Sequence, residues 1–132
     1  MVERKSRFSH IELVTSKQAD HVAEVLLDNF DDLKEQVYTF AMDNGNEFAH
    51  HEKMRKALRA DVYFAYPYCV WERGPSENTN GLLRQYFLKD TNFKGLSQAK
   101  IRQAENRLND RPKKNSDFDC PAKFLNPKNL EY

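Results

Sequence analysis

The run Gln36-Val37-Tyr38-Thr39-Phe40-Ala41-Met42-Asp43-Asn44-Gly45 decides the fold. Its first seven residues are mostly apolar, aromatic or β-branched, which predicts a short buried strand over residues 36–42. Asp43-Asn44-Gly45 is a strong turn signal, because Asp and Asn side chains bond to nearby backbone groups and Gly adopts unusual backbone angles. The strand is therefore expected to end at Met42, with a carboxylate in the turn that follows.

Helices are predicted on both sides of this strand. Thr15-Ser16-Lys17-Gln18 matches a capping box, and apolar residues at helical spacing follow it, so an amphipathic helix is expected over about residues 16–35. A second helix is expected over 46–58 and a second strand over 61–66, ended by Pro67. Because each strand follows a helix, the two strands are predicted to be parallel neighbours with helices packed on the sheet.

The two ends of the chain extend this pattern. Residues 2–14 alternate in a way that is typical of two antiparallel strands, bending near Lys5-Ser6-Arg7. Ser76 is a candidate cap for a helix from Glu77 to about Leu88, and Ser97 for a last helix. That last helix carries its apolar residues at helical spacing: Ile101, Ala104 and Leu108. Beyond Arg111-Pro112 only one short turn is expected, at 121–125. The fold class is therefore α/β.

Composition excludes several classes of protein. The 132 residues include nine Phe, six Tyr and one Trp, too many aromatics for a disordered chain. No run approaches the roughly eighteen apolar residues of a membrane span, and no signal peptide is expected from the first seven residues. Cys69 and Cys120 are too few for a disulfide scaffold and lack zinc-site spacing. We expect reduced thiols in a cytoplasmic protein.

The net charge of +1 hides an asymmetry between the two parts of the chain. Residues 1–83 carry 10 basic and 14 acidic side chains, whereas residues 84–132 carry 11 basic and 6 acidic ones. Such a division suits a protein that holds cations at one place and polyanions at another. The alternative is that these charges simply solvate the exposed faces of helices.

Two acidic positions could carry chemistry. Asp43 stands at the carboxyl end of the predicted strand, where open α/β sheets bind their ligands. Glu77 begins a helix, and Asn80 and Arg84 follow on the same face, a set suited to a metal and a phosphate. Each acid alone has a structural explanation, because Asp-Asn-Gly is a common turn and an acid is favoured at any helix start.

The combination of motifs is more specific than either acid. Met42-Asp43-Asn44-Gly45-Asn46-Glu47-Phe48 resembles the D-N-G-x-E-F signature of the integrase and transposase catalytic core. The run from Trp71 to Phe87, WERGPSENTNGLLRQYF, is similar to the block that bears the third acid of that core in bacterial transposases of the insertion-sequence-thirty family. The 33 residues between Asp43 and Glu77 match that family's spacing. Segments 63–68 and 108–114 resemble two further family segments.

The resemblance implies a fold, a cofactor and a partner. The family has a ribonuclease-H-like mixed sheet flanked by helices, and an Asp, Asp, Glu trio holds two divalent cations, magnesium or manganese. Asp43 and Glu77 correspond to the second and third acids, as catalytic residues and metal ligands. The partner is DNA, both the ends of an insertion element and a target, and the location is the bacterial cytoplasm without membrane attachment.

In the family the first catalytic Asp precedes the segment that resembles Val2–Phe8, and this sequence begins at Met1. We therefore expect an incomplete core over 1–124, lacking the first strand, followed by a tail over 125–132. Two carboxylates should bind metal weakly, so the isolated chain is expected to be inactive. The alternatives are a non-catalytic fragment that binds DNA or inhibits transposase, and an α/β domain whose acids are structural. The further partner is a second copy or full-length transposase.

Other residues are candidates for contacts with DNA. Five cations are candidates for contacts with phosphate, one near Glu77 and four near the end of the last helix: Arg84, Arg107, Arg111, Lys113 and Lys114. Asn80 joins Arg84 on its helix face, and Tyr68 and Trp71 could stack on unpaired bases. His50-His51 could suggest a metal site, although an inward-facing His51 and a solvated His50 explain the pair better.

Overall fold

A computed structural model describes residues 1–31, 36–66, 74–114, 117, 119–124 and 130–132. The helices and strands, in chain order, are α1 (Ala19–Phe30), β1 (Val37–Met42), α2 (His51–Leu58), β2 (Asp61–Phe64), α3 (Gly74–Leu83), α4 (Gln98–Asn109), α5 (Pro121–Phe124) and β3 (Leu130–Glu131). Single 3₁₀ turns cover Asn46–Phe48 and Phe93–Gly95. In the part of the chain described, no helix is long and apolar enough to cross a membrane.

The chain forms two compact units. The sheet unit comprises Val14–Glu72 and Asn126–Tyr132, and the hairpin unit comprises Met1–Leu13 and Arg73–Leu125. The predicted core over 1–124 with a tail over 125–132 stays a prediction. The α/β class predicted from the sequence is confirmed by the helices and the small parallel sheet.

The sheet has the strand order β2-β1-β3. β1 and β2 are parallel, with Thr39 opposite Asp61 and Met42 opposite Phe64, which confirms the predicted pairing. β3 lies parallel to the other edge of β1, where the sequence pattern predicts no strand. Two hydrogen bonds continue this pairing, from Ala41 N to Tyr132 O (2.7 Å) and from Tyr132 N to Thr39 O (3.0 Å).

The core of the sheet unit is an aromatic cluster on the strands and α1. The Phe30 ring meets Phe40 edge-on at 5.1 Å and Tyr132 at 4.9 Å, measured between ring centroids. Ala23 and Leu26 of α1 are buried with Phe30, which confirms that the apolar stripe of the predicted helix faces the core.

The predicted capping box at the start of α1 is wrong. The helix begins at Ala19 after an extended Gln18 that makes no side-chain cap bond. The Ser16 hydroxyl instead accepts a bond from Gln18 N (3.1 Å), and Thr15 Oγ1 lies 3.1 Å from His21 Nε2. The two hydroxyls therefore make these contacts instead of capping the helix. Residues 32–35 of the predicted helix lie outside the described residues.

The helices after β1 differ from prediction at their ends. The predicted helix over 46–58 is a 3₁₀ turn followed by α2, which ends at a left-handed Arg59 with φ 54°. α3 begins before Ser76 and ends at Leu83 rather than near Leu88. Two bonds just past Leu83 tighten to a three-residue spacing, from Gln85 N to Leu82 O (3.1 Å) and from Tyr86 N to Leu83 O (3.0 Å), so the chain leaves the helix through turns.

The hairpin unit is built on the N-terminal segment and α4. Residues 2–14 form one antiparallel bridge, Val2 with Ser9, rather than two full strands. Ser97 caps α4 as predicted, its hydroxyl accepting a bond from Lys100 N (3.4 Å). The three apolar residues predicted for its inner face, Ile101, Ala104 and Leu108, are all buried. α5 confirms the short turn predicted at 121–125.

Candidate active site and nucleic-acid interface

Asp43 follows the carboxyl end of β1 directly and is exposed. Its Oδ1 accepts a hydrogen bond from Gly45 N (3.2 Å), which holds the carboxylate in the turn. Asn44 Nδ2 donates to Ala65 O (3.2 Å), and Ala65 N donates to Met42 O (2.9 Å). The turn is thereby tied to the end of the neighbouring parallel strand. This is the position expected of a ligand-binding carboxylate at a sheet edge.

The Glu47 carboxylate folds back over Gly45. Gly45 has φ −69° and ψ 145°, angles that any residue adopts. A Cβ there would meet only the Glu47 carboxylate, the end of a flexible side chain that can move aside. The sequence analysis assigns Glu47 no role, yet it places a second, half-buried carboxylate close to the turn that holds Asp43.

Glu77 lies in the first turn of α3 and is exposed. Asn80 and Arg84 are exposed as well, as expected for residues on one helix face, whereas Thr79 is buried. Arg84 N donates to Asn80 O (3.2 Å), so Arg84 continues the helical turn just past Leu83. Asp43 and Glu77 belong to different units, and their predicted convergence on one ion stays a prediction.

The described histidines do not build a metal site. His51 is half-buried, with Nδ1 3.2 Å from Phe48 O and its ring edge-on to Phe64 at 4.8 Å. His50 is exposed and lies 3.3 Å from Asp20. Within the described residues, no three His, Cys, Asp or Glu side chains are grouped so that they could hold a metal ion. The preferred interpretation of the pair, His51 inward and His50 in solvent, agrees with these positions.

Four of the five predicted phosphate-contacting cations lie at or just after the end of α4. Arg107 lies in its last turn, and Arg107, Arg111 and Lys114 are exposed. Lys113 is half-buried, and its backbone N donates to Asp119 O (3.0 Å). Burial lowers the pKa of Lys113, and the charges of Arg111 and Arg7 lower it further. Arg7 is absent from the set predicted by sequence, because only folding brings the N-terminal segment here.

Tyr68 and Trp71, the aromatic residues predicted to stack on bases, lie outside the described residues. The nearby Tyr63 and Tyr66 have 58% and 71% of their surface exposed. Phe64, by contrast, is half-buried against the His51 ring.

The helices and the small parallel sheet, with an exposed acidic turn at the end of its central strand, define an α/β protein. The chain is 40% identical over 111 residues to the transposase for insertion sequence element IS4351 of Bacteroides fragilis, covering 84% of this chain and 34% of that protein. It is 35% identical over 126 residues to transposase InsI for insertion sequence element IS30A of Escherichia coli (strain K12), covering 95% and 33%.

A probable transposase for the insertion-like sequence element IS1161 of Streptococcus salivarius is 33% identical over 125 residues, covering 95% of this chain and 35% of that protein. No family model matches the chain. The chain belongs to the family of IS30-type insertion-sequence transposases, as its motifs indicate, and it spans about a third of the length of the curated relatives it matches.

Proposed function

We propose that the chain is part of a transposase catalytic core with a ribonuclease-H-like fold, and that Asp43 and Glu77 are two of its three metal-binding carboxylates. The observation that carries the proposal is Asp43, exposed in a turn that ties the end of β1 to that of its parallel neighbour. The relatives are transposases, which supports a role in transposition and DNA as the partner.

The available ligands suit magnesium or manganese. Carboxylate oxygens are the donors that these hard cations prefer, and both acids are exposed and can share a cation with water and phosphate. When bound, the cations would activate the attacking water or 3′-hydroxyl and stabilise the leaving oxygen at the DNA phosphorus. Asp43 is held in its turn by Gly45 N, and Glu77 lies in the first turn of α3.

The basic residues serve the polyanionic substrate. Asn80 and Arg84 follow Glu77 on one face of α3, where they could contact a phosphate beside the metal. A further set at the end of α4 could contact the DNA backbone, without regard to sequence: Arg107, Arg111, Lys113 and Lys114. These contacts favour DNA binding as the second candidate function, which would remain if the chemistry does not occur.

The 132-residue polypeptide is expected not to nick DNA that carries the terminal repeats of its element, with either magnesium or manganese. Two carboxylates hold a pair of divalent cations weakly, because the third acid of the trio is needed to offset their charge. Gel assays of supercoiled DNA measure the outcome, with a full-length relative as positive control. Metal-dependent nicking that is lost in Asp43→Asn would contradict the expected inactivity while supporting the site.

The metal site can be tested without activity. Titration with magnesium, followed by amide chemical shifts, is expected to move the signals near Asp43 and Glu77, and Asp43→Asn should weaken the response. Asp61→Asn is a matched control, because Asp61 is also exposed but begins β2, away from the turn that follows β1. An unchanged spectrum at both acids would instead favour structural roles for them.

A further inference from the structure

The helix α2 presents an exposed basic surface that the sequence analysis does not single out. The seven residues from Lys53 to Arg59, KMRKALR, include four basic and no acidic side chains, although residues 1–83 are acidic overall. Met54 and Leu58 have only 1% and 2% of their surface exposed, so this side of the helix packs in the core. The four basic residues are all exposed. The positive charge of α2 is therefore concentrated on its solvent side.

Three of these cations have no carboxylate partner. Arg55 lies 3.7 Å from Glu52 and so has a counter-charge. Within the described residues, no ion pair or hydrogen bond neutralises the other three side chains: Lys53, Lys56 and Arg59. Lys53 and Lys56 are neighbours on the helix surface, because residues three apart lie one turn along the same side, and Arg59 follows at the C-cap. We call these three residues the α2 basic ridge.

The helix itself gives no reason for a cation at Lys53. Lys53 is the third residue of α2, and the N-terminal end of a helix carries a partial positive charge that disfavours a further cation. Lys56 lies in the last turn, where the helix dipole favours a cation, so its position alone has a structural explanation. The two like charges add a small repulsion at this spacing. Local structure therefore disfavours the pair rather than accounting for it.

Arg59 occupies a position where glycine is the usual residue. It ends α2 with φ 54° and ψ 31°, in the left-handed region. Glycine enters this region without steric cost, whereas a residue with a Cβ does not, and glycine is the common residue where a helix ends in this way. The backbone thus gains nothing from an arginine here, and a role for its side chain outside the helix is the simpler explanation.

We propose that the α2 basic ridge contacts phosphates of the DNA backbone, which gives the sheet unit a DNA-binding surface of its own. The proposal rests on the DNA partner proposed above. Each cation can pair with a phosphate, and the guanidinium of Arg59 can donate two parallel hydrogen bonds to phosphate oxygens. The helix follows the Asp43 turn in the same unit, whereas the cations predicted from sequence belong to the hairpin unit. DNA on the ridge would therefore lie against the unit that carries Asp43.

The surroundings of the ridge favour a phosphate backbone over a protein or a membrane. All eight residues of α2 are described, and Ala57 is the only apolar one among them that is exposed. Protein interfaces have large apolar or aromatic residues at their centre, and helices that lie on membranes carry an apolar face toward the lipid. An exposed side that is charged and almost free of apolar groups suits contacts with phosphates, which are independent of sequence.

Binding of the intact chain to a random-sequence DNA duplex, without divalent cations and at several salt concentrations, tests this surface. Lys53→Gln, Lys56→Gln and Arg59→Gly are each expected to reduce the slope of log affinity against log salt by about one, and the triple variant by about three. Lys17→Gln is the control, since Lys17 is exposed in the same unit but outside α2, and it should leave the slope unchanged. An unchanged slope in the triple variant, or no binding at low salt, would overturn the proposal.

Arg59→Gly also separates binding from folding. Because glycine suits the left-handed backbone, the midpoint of thermal denaturation is expected to stay the same or rise while the affinity for DNA falls. Arg59→Lys keeps the charge and should retain the salt slope. A loss of affinity that accompanies a lower midpoint in Arg59→Gly would show a structural role and overturn a direct contact by Arg59.

The DNA surface and the metal site can fail separately. DNA binding that depends on the ridge, in a chain whose amide signals near Asp43 do not respond to magnesium, would support the surface and contradict the metal site. A magnesium response near Asp43 in a chain that binds no DNA would support the metal site and overturn the surface.

Discussion

Replacing Tyr132 by alanine is expected to lower the free energy of unfolding by about 3–5 kcal/mol, the usual cost of removing a buried aromatic side chain. Tyr132 has 8% of its surface exposed. Its ring lies 4.9 Å from Phe30 and stacks on Phe40 at 6.0 Å, so the substitution removes two aromatic contacts and leaves a cavity. This is a large part of the roughly 5–15 kcal/mol that stabilises an ordinary domain.

Urea denaturation measures this loss, and the chain supplies its own control. Tyr38 has the same side chain and lies on β1, but 53% of its surface is exposed. Tyr38→Ala should therefore cost less than about 1 kcal/mol. Equal destabilisation by the two substitutions would mean that the aromatic cluster does not hold β3 against β1.

The elements that could be predicted from sequence are those with strong local signals. β1 is a mostly apolar run that a turn signal ends, and its structure, Val37–Met42, is shorter than predicted by one residue. Ser97 caps α4, because a hydroxyl before an amphipathic run has a nearby backbone N–H to accept. These features depend only on residues that are close together in the sequence, so the sequence alone predicts them.

The elements that could not be predicted depend on distant partners. β3 has two residues, too few for any periodicity, and it forms because Tyr132 packs against Phe30 and Phe40. The burial of Glu105 could not be predicted either, because its carboxylate accepts a hydrogen bond from Ile11 N (2.7 Å), 94 residues away in the sequence. Helical spacing alone places Glu105 beside the apolar stripe of α4 without indicating a partner.

The candidate site also has features that local sequence signals predict and features that depend on distant residues. The exposure of Asp43 at the end of β1 follows from its turn, and the exposure of Glu77 from its place in the first turn of α3. Both acids are exposed outside the apolar core, and the metal hypothesis requires this exposure. The contact that joins the N-terminal segment to the end of α4 could not be predicted, because its residues are 100 positions apart: Ser9 N donates to Asn109 Oδ1 (2.7 Å), and Asn109 Nδ2 donates to Ser9 O (2.8 Å).

Removing that pair should have the second large effect on stability. Asn109→Ala leaves the buried N–H and C=O groups of Ser9 without their partner, and each unsatisfied group costs about 1–3 kcal/mol. We expect a total loss of about 2–6 kcal/mol in the free energy of unfolding. Asn106→Ala is the control, since Asn106 is exposed on the same helix and should change stability by less than about 0.5 kcal/mol.

Asn109→Asp separates the hydrogen bonds from simple packing. The carboxylate still accepts from Ser9 N but faces Ser9 O with a negative charge, whereas the protonated acid can donate to Ser9 O as the amide does. The folded state thus favours the neutral acid and raises its pKa above the unfolded value of about 3.9. Stability should therefore fall as pH rises from the unfolded pKa through the folded one.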